Sequence, residues 1–174
     1  MYKEKITIKL TPESISDAIN KIEQYKTEMS KRLSVYQTRL AEEIAAQAEI
    51  NFRNAAIDNI WYGSYKKPDV KVSVNEKDDI LVIIANGEDA VWYEFGSGVY
   101  HNGAAGSSPH PYGKEFGFTI GSYGKGHGKQ KTWGYFDENH RLVLTHGIQA
   151  SMPMYNAIQT VAEKAIDIAR EVFA

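Results

Sequence analysis

Five histidines lie between His101 and His146, and imidazole is a common protein ligand for transition metals. A metal site needs several ligands at close, matched spacing. The chain has no H-E-x-x-H pattern and no cysteine, and no acidic residue separates His101 from His110. The expectation is that these histidines pack and hydrogen-bond in polar turns, with no resident metal. The run Gly124-Lys125-Gly126-His127-Gly128-Lys129-Gln130 invites a phosphate-loop reading, which its spacing denies. Tyr123 stands where the first glycine of that loop belongs, and Gln130 stands where Ser or Thr would hold magnesium. Its glycines also miss the dinucleotide-binding fingerprint. Lys125, Lys129 and Lys131 still form a local basic patch that could meet DNA phosphates without regard to sequence. The alternative is a solvated loop. Ser97, Ser107, Ser108 and Ser122 lack the G-x-S-x-G elbow of a hydrolase nucleophile, since Gly96-Ser97-Gly98 is too short. The acidic pairs Glu88-Asp89 and Asp137-Glu138 sit in turns, where charge is ordinary. No catalytic residue, cofactor or metal ligand is expected.

The elements that would carry these residues can be read from periodicity. Ile6, Ile8 and Leu10 alternate with polar residues and predict an opening strand. Thr11-Pro12-Glu13 is a helix start: a capping hydroxyl, a proline in the first turn and an acid at the positive end of the dipole. From Glu13 to Tyr62 there is neither Gly nor Pro, and apolar residues recur at helical spacing through Ile15, Ile19, Ile22, Met29, Leu33, Tyr36, Leu40, Ile44, Ala48 and Phe52. A globular helix averages about 11 to 12 residues, so this is either one long rod or two stacked rods broken near Thr27–Ser34. Such an element needs a partner, in its own chain or in a neighbouring one.

Val70, Val72 and Val74, a polar turn, and the run Ile80 to Ala85 predict a hairpin. The stretch Gly96–Gly134 is glycine-rich, and loops this long are usually functional or mobile; Phe116, Phe118 and Ile120 alternate and could tie it down. Trp133, Tyr135 and Phe136, the turn Asp137–His140 and then Leu142-Val143-Leu144 predict a second hairpin. A terminal helix follows from about Met154 to Val172, with Pro153 at its start. The fold class is α+β: a long N-terminal helix and a C-terminal helix packed on an antiparallel β-sheet, with a long glycine-rich loop. One domain covers residues 1–174, with the helical region at 1–62, the sheet and loop at 63–147, and the terminal helix at 153–173.

Composition narrows the function classes. Twenty basic residues stand against 22 acidic, a net charge of -2, so the whole chain makes no case for a nucleic-acid or membrane surface. The absence of cysteine removes disulfides and thiolate chemistry. No apolar run approaches the roughly 20 residues that span a bilayer. The opening MYKEKITIKL lacks the apolar core and cleavage site of a secretion signal, so synthesis in the cytosol is expected.

The segment Val91-Trp92-Tyr93-Glu94-Phe95-Gly96-Ser97-Gly98 resembles the VEFGTG signature of the minor tail-component proteins of long-tailed phages, also described as tail-completion or head–tail joining proteins. His110-Pro111 fits the loop after that signature. Gly124 to Gln130 with Thr132-Trp133-Gly134-Tyr135 resembles the family's glycine-rich run, and Thr145-His146-Gly147 through Pro153-Met154-Tyr155 resembles its approach to the terminal helix. The likeness runs from about Ala90 to the end. It implies a non-enzymatic α+β subunit, encoded by a phage or prophage and made in the host bacterial cytoplasm. Such a subunit forms a ring, often a hexamer, in the virion neck, between head-connector and tail-tube proteins and around the DNA channel. A head-closure adaptor of the same connector is a close alternative, and a metal-dependent phage-associated hydrolase is one of a different class. Trp92, Tyr93, Glu94, Phe95, Trp133 and Tyr135 are the candidate subunit-interface residues, because aromatic side chains are enriched at interface centres; filling of the monomer's own core is the competing role. If Val91–Phe95 is a strand, Glu94 shares neither aromatic neighbour's face and is expected as a solvated carboxylate, or paired with a base across a subunit boundary.

Overall fold

The computed structural model describes residues 6–59, 69–78, 80–97, 108–118 and 133–174. Helix α1 spans Pro12–Asn59 without a break. Its 48 residues make a rod roughly 72 Å long at the 1.5 Å rise of an α-helix. Thr11 caps it: its Oγ1 accepts the Ser14 N–H at 3.3 Å and its carbonyl accepts the Ile15 N–H at 3.1 Å. The polar stretch Thr27–Ser34 does not interrupt the helix, because it holds good helix formers and an Arg32–Glu28 pair one turn apart.

The predicted opening strand is absent. Residues 6–9 have no regular structure, and the Lys9 N–H donates instead to Ser14 Oγ at 2.9 Å. Alternation alone cannot make a strand when no described strand pairs with it to satisfy the backbone.

Strands β1 (Lys71–Lys77) and β2 (Ile80–Asn86) form an antiparallel hairpin in which Val72 faces Ala85 and Val74 faces Ile83. Those four and Leu81 are half-buried on the α1 side, while the alternate residues face out. A turn leads into α2 (Ala90–Phe95). Gly87 lies in that turn, where a side chain would run into the Asp69 carbonyl at 2.4 Å. Strands β3 (Trp133–Phe136) and β4 (Leu142–Thr145) pair antiparallel, around a turn whose Asp137 Oδ1 accepts the N–H groups of Asn139 and Arg141. The strands thus make two separate hairpins rather than one sheet.

Helix α3 (Pro153–Phe173) closes the chain and runs antiparallel along α1. The Asn51 amide donates to the Pro153 carbonyl at one end. At the other, Arg32 donates to the carbonyls of Val172 and Ala174, Arg39 pairs with Glu171 at 2.8 Å, and Tyr36 meets Phe173 edge-on at 6.0 Å. Ala157, Val161 and Ile168 form the buried stripe of α3. The core gathers Phe52, Ala55 and Ala56 of α1 with Ala90 and Tyr93 of α2, lined by Val70, Val72, Ala85, Ile148 and Met154. Among the described residues no helix is long and apolar enough to cross a membrane.

Candidate functional site

Within the resemblance-bearing segment, Val91–Phe95 is helical, not extended. Ala90, Tyr93 and Glu94 are its buried residues, at spacings of three and four. A strand would have turned Tyr93 and Glu94 to opposite faces; one helical turn puts both toward the core, which overrides the β-propensity of Val, Trp, Tyr and Phe. Gly96 ends the turn at φ 80° and ψ 162°, a conformation essentially reserved for glycine.

Glu94 is the centre of the arrangement, at 8% exposure. Its Oε2 accepts the Met154 N–H at 2.8 Å and its Oε1 accepts the Tyr155 N–H at 2.9 Å. These are the first two N–H groups that α3 can offer, since Pro153 has none. Asn156, the next, donates to the Met152 carbonyl at 2.9 Å. Helix α3 has no capping side chain of its own at Met152, which sits in the left-handed region at φ 53°. A carboxylate from a distant helix therefore caps α3 and meets the positive end of its dipole.

The third bond to Glu94 comes from His110, whose Nε2 lies 3.0 Å from Oε1. His110 is equally buried, at 7%. Its Nδ1 lies 3.0 Å from the Tyr112 N–H and must accept there, so the proton sits on Nε2 and is donated to Glu94. The imidazole is walled by Phe95 at 4.4 Å, Tyr155 at 5.3 Å and Tyr112 at 5.8 Å. Phe95 stacks in turn on Phe118 at 4.3 Å, and Trp92 meets Phe118 edge-on at 6.3 Å. Backbone bonds complete the junction. Tyr93 O accepts the N–H groups of Ser151 and Met152, while Ser97 N–H donates to Ile148 O and Ser97 Oγ accepts the Ile148 N–H.

Chemically, this Glu–His pair looks like half of a nucleophile-activating relay but is wired differently. In such a relay the second imidazole nitrogen faces a hydroxyl. Here it faces a backbone N–H, so no ring lone pair remains to take a proton or bind a metal. Glu94 likewise receives three donors. Among the described residues, no group of three or more His, Cys, Asp and Glu is placed to hold a metal.

Tyr93 is fully buried and meets Phe52 edge-on at 6.4 Å, yet its hydroxyl finds no hydrogen-bond partner among the described residues. Burial, with the nearby Asp89 carboxylate adding to it, pushes its pKa above the ordinary 10.0.

Of the candidate interface residues, Tyr93 and Glu94 are enclosed by the chain's own packing, which corrects the expectation of a solvated Glu94. Trp92 and Phe95 are half-buried against the 108–118 loop, and Tyr135 is exposed on β3. The Trp133 side chain lies outside the described residues, as do Lys125, Lys129, Lys131, His101, His127 and Ile120. Phe116 and Phe118 belong to a series of turns, not a strand. Sequence reasoning missed the union of Glu94 with His110 and α3. Its one signal was Pro153 opening a helix without Ser, Thr, Asp or Asn just before it, which left the cap to come from elsewhere.

Compared with known protein families, with curated proteins and with solved structures, the chain matches none.

Proposed function

We propose that this chain is a non-catalytic structural subunit of a phage or prophage particle, acting in the neck as a tail-completion protein that joins head to tail. The observation that carries this reading is the convergence at Glu94 of three separated stretches that bear the resemblance. The carboxylate belongs to the Val91–Gly98 segment, its imidazole partner to His110-Pro111, and its two backbone donors to Pro153-Met154-Tyr155. Their polar groups are spent on one another, as in a scaffold that holds shape and performs no turnover.

Bare apolar surface supports an assembling role. Phe136, Leu142 and Leu144 are exposed at 70%, 60% and 66% on the β3–β4 hairpin, where Phe136 and Leu142 are direct cross-strand partners. Such patches mark sites of association. The ring, its neighbours in the connector and tail tube, and phosphate contacts by Lys125, Lys129 and Lys131 follow from the resemblance and belong to the same proposal.

The test is the mass of the purified chain by light scattering over a wide concentration range, followed by negative-stain imaging. A ring with a channel wide enough for duplex DNA is the expected result. Stoichiometric metal in a monomer that cleaves peptidoglycan overturns it in favour of a hydrolase.

A further inference from the structure

Helix α3 ends beside Arg32 and Tyr36, so the first half of α1 runs on without it. The apolar seam does not stop there. Going backward from Leu40 and Tyr36, both half-buried, the seam continues through Leu33, Met29, Lys26, Ile22, Ile19 and Ile15 in alternating steps of three and four. Ile15, Ile19, Ile22 and Leu33 are 44%, 52%, 43% and 48% exposed. Alternating steps of three and four place every residue on the single stripe that a second helix would cover in a coiled coil.

We infer that this stretch, Ile15 to Leu33, is a self-association surface that pairs antiparallel with the same stretch of a second copy. Lys26 selects the orientation. In a parallel pair equivalent positions face each other, so Lys26 would meet Lys26 in the middle of the seam. In an antiparallel pair centred between Ile22 and Lys26, Ile15 faces the partner's Leu33, Ile19 faces the partner's Met29, and Lys26 lays its stem on the partner's Ile22. Its ammonium then reaches the partner's Glu23, twice per dimer by symmetry. The charges toward the ends agree: Asp17 lies toward one end and Lys31 toward the other, and antiparallel pairing sets Asp17 beside the partner's Lys31. The two helix dipoles also oppose each other. The seam would continue the interface that α3 already makes, with a helix of the same antiparallel direction. Leu33 stays open to the last layer, because α3 finishes on the Arg32–Tyr36 flank. The pairing is isologous and closes at two chains. It is independent of the neck reading and leaves the β3–β4 hairpin uncovered.

The experiment uses the full chain. Wild type is expected to sediment as two chains, or as a larger assembly built from such pairs, at tens of micromolar, and Ile19→Glu to weaken the pairing by about 100-fold or more with unchanged helix content. Glu23→Lys and Lys26→Glu should each be monomeric alone and should form a heterodimer when mixed. Because the chain has no cysteine, orientation can be read by oxidising an equal mixture of Ile15→Cys and Leu33→Cys: the mixed disulfide is expected. A single-chain mass at every concentration, a dimer or ring that Ile19→Glu leaves whole, or disulfides joining Ile15→Cys to itself would each overturn the inference. A ring insensitive to Ile19→Glu would do so while leaving the neck reading intact.

Discussion

The junction around Glu94 and the free half of α1 put opposite kinds of residue in unexpected places. At the junction a carboxylate and an imidazole are buried, and both carboxylate oxygens and both ring nitrogens are hydrogen-bonded from within the chain. On α1 the isoleucines Ile15, Ile19 and Ile22 are about half exposed to water. A buried charge is tolerable when saturated, and once saturated it has little left for chemistry. An exposed apolar seam is tolerable when something outside the chain can cover it. The two regions therefore divide the labour: one holds the fold, the other offers surface.

Substitutions can sharpen that division. The largest effect is expected for Glu94→Ala, which strands two α3 N–H groups and the His110 Nε2–H. A loss of about 3–5 kcal/mol in unfolding free energy by urea titration is expected. An unchanged midpoint would mean that water replaces the carboxylate and that the junction does not hold the fold. Glu94→Gln keeps the shape and one acceptor oxygen but places an amide NH₂ where a donor already points. About 1–3 kcal/mol is expected from the same titration, with α3 amides near Met154 exchanging faster.

Tyr93→Phe removes a buried hydroxyl that has no hydrogen-bond partner among the described residues, while keeping the edge contact with Phe52. The change should lie between neutral and about 1 kcal/mol stabilising. It also has a pH signature. The folded state holds the Tyr93 proton more tightly than the unfolded chain, so that contribution is full below pH 10.0 and is lost as pH rises above it. The variant should show a smaller drop in stability on the alkaline side, and equal slopes in both proteins would refute the burial argument.

The smallest effect is expected at the free half of α1. Ile22→Gln, measured at protein concentrations low enough for single chains, should change unfolding free energy by no more than about 0.5 kcal/mol. A loss comparable to that of Glu94→Ala would show that the seam is packed within its own chain.

Much of the architecture was legible before any coordinates. Breaker-free length and three–four spacing gave α1, and Thr11-Pro12-Glu13 gave its start. Alternation between turns gave both hairpins, and Pro153 gave the beginning of α3. These features are local: a helix stripe or a strand alternation is written within a few residues of itself. The same locality explains the two failures. Ile6–Leu10 alternates but has no described partner to pair with, and Val91–Phe95 has β-forming residues but bends into a helix because Ala90, Tyr93 and Glu94 must face the core together. The site was legible only as separate fragments. That Glu94 would meet His110, 16 residues on, and the α3 amides some 60 residues on was decided by how α2 and α3 pack against α1. By itself, then, the sequence determined where the two long helices and both hairpins run and that no cysteine chemistry is available. The tertiary structure alone decided which carboxylate is buried and which isoleucines are left bare, because burial depends on what distant segments arrive to cover a residue, and no local pattern encodes that arrival.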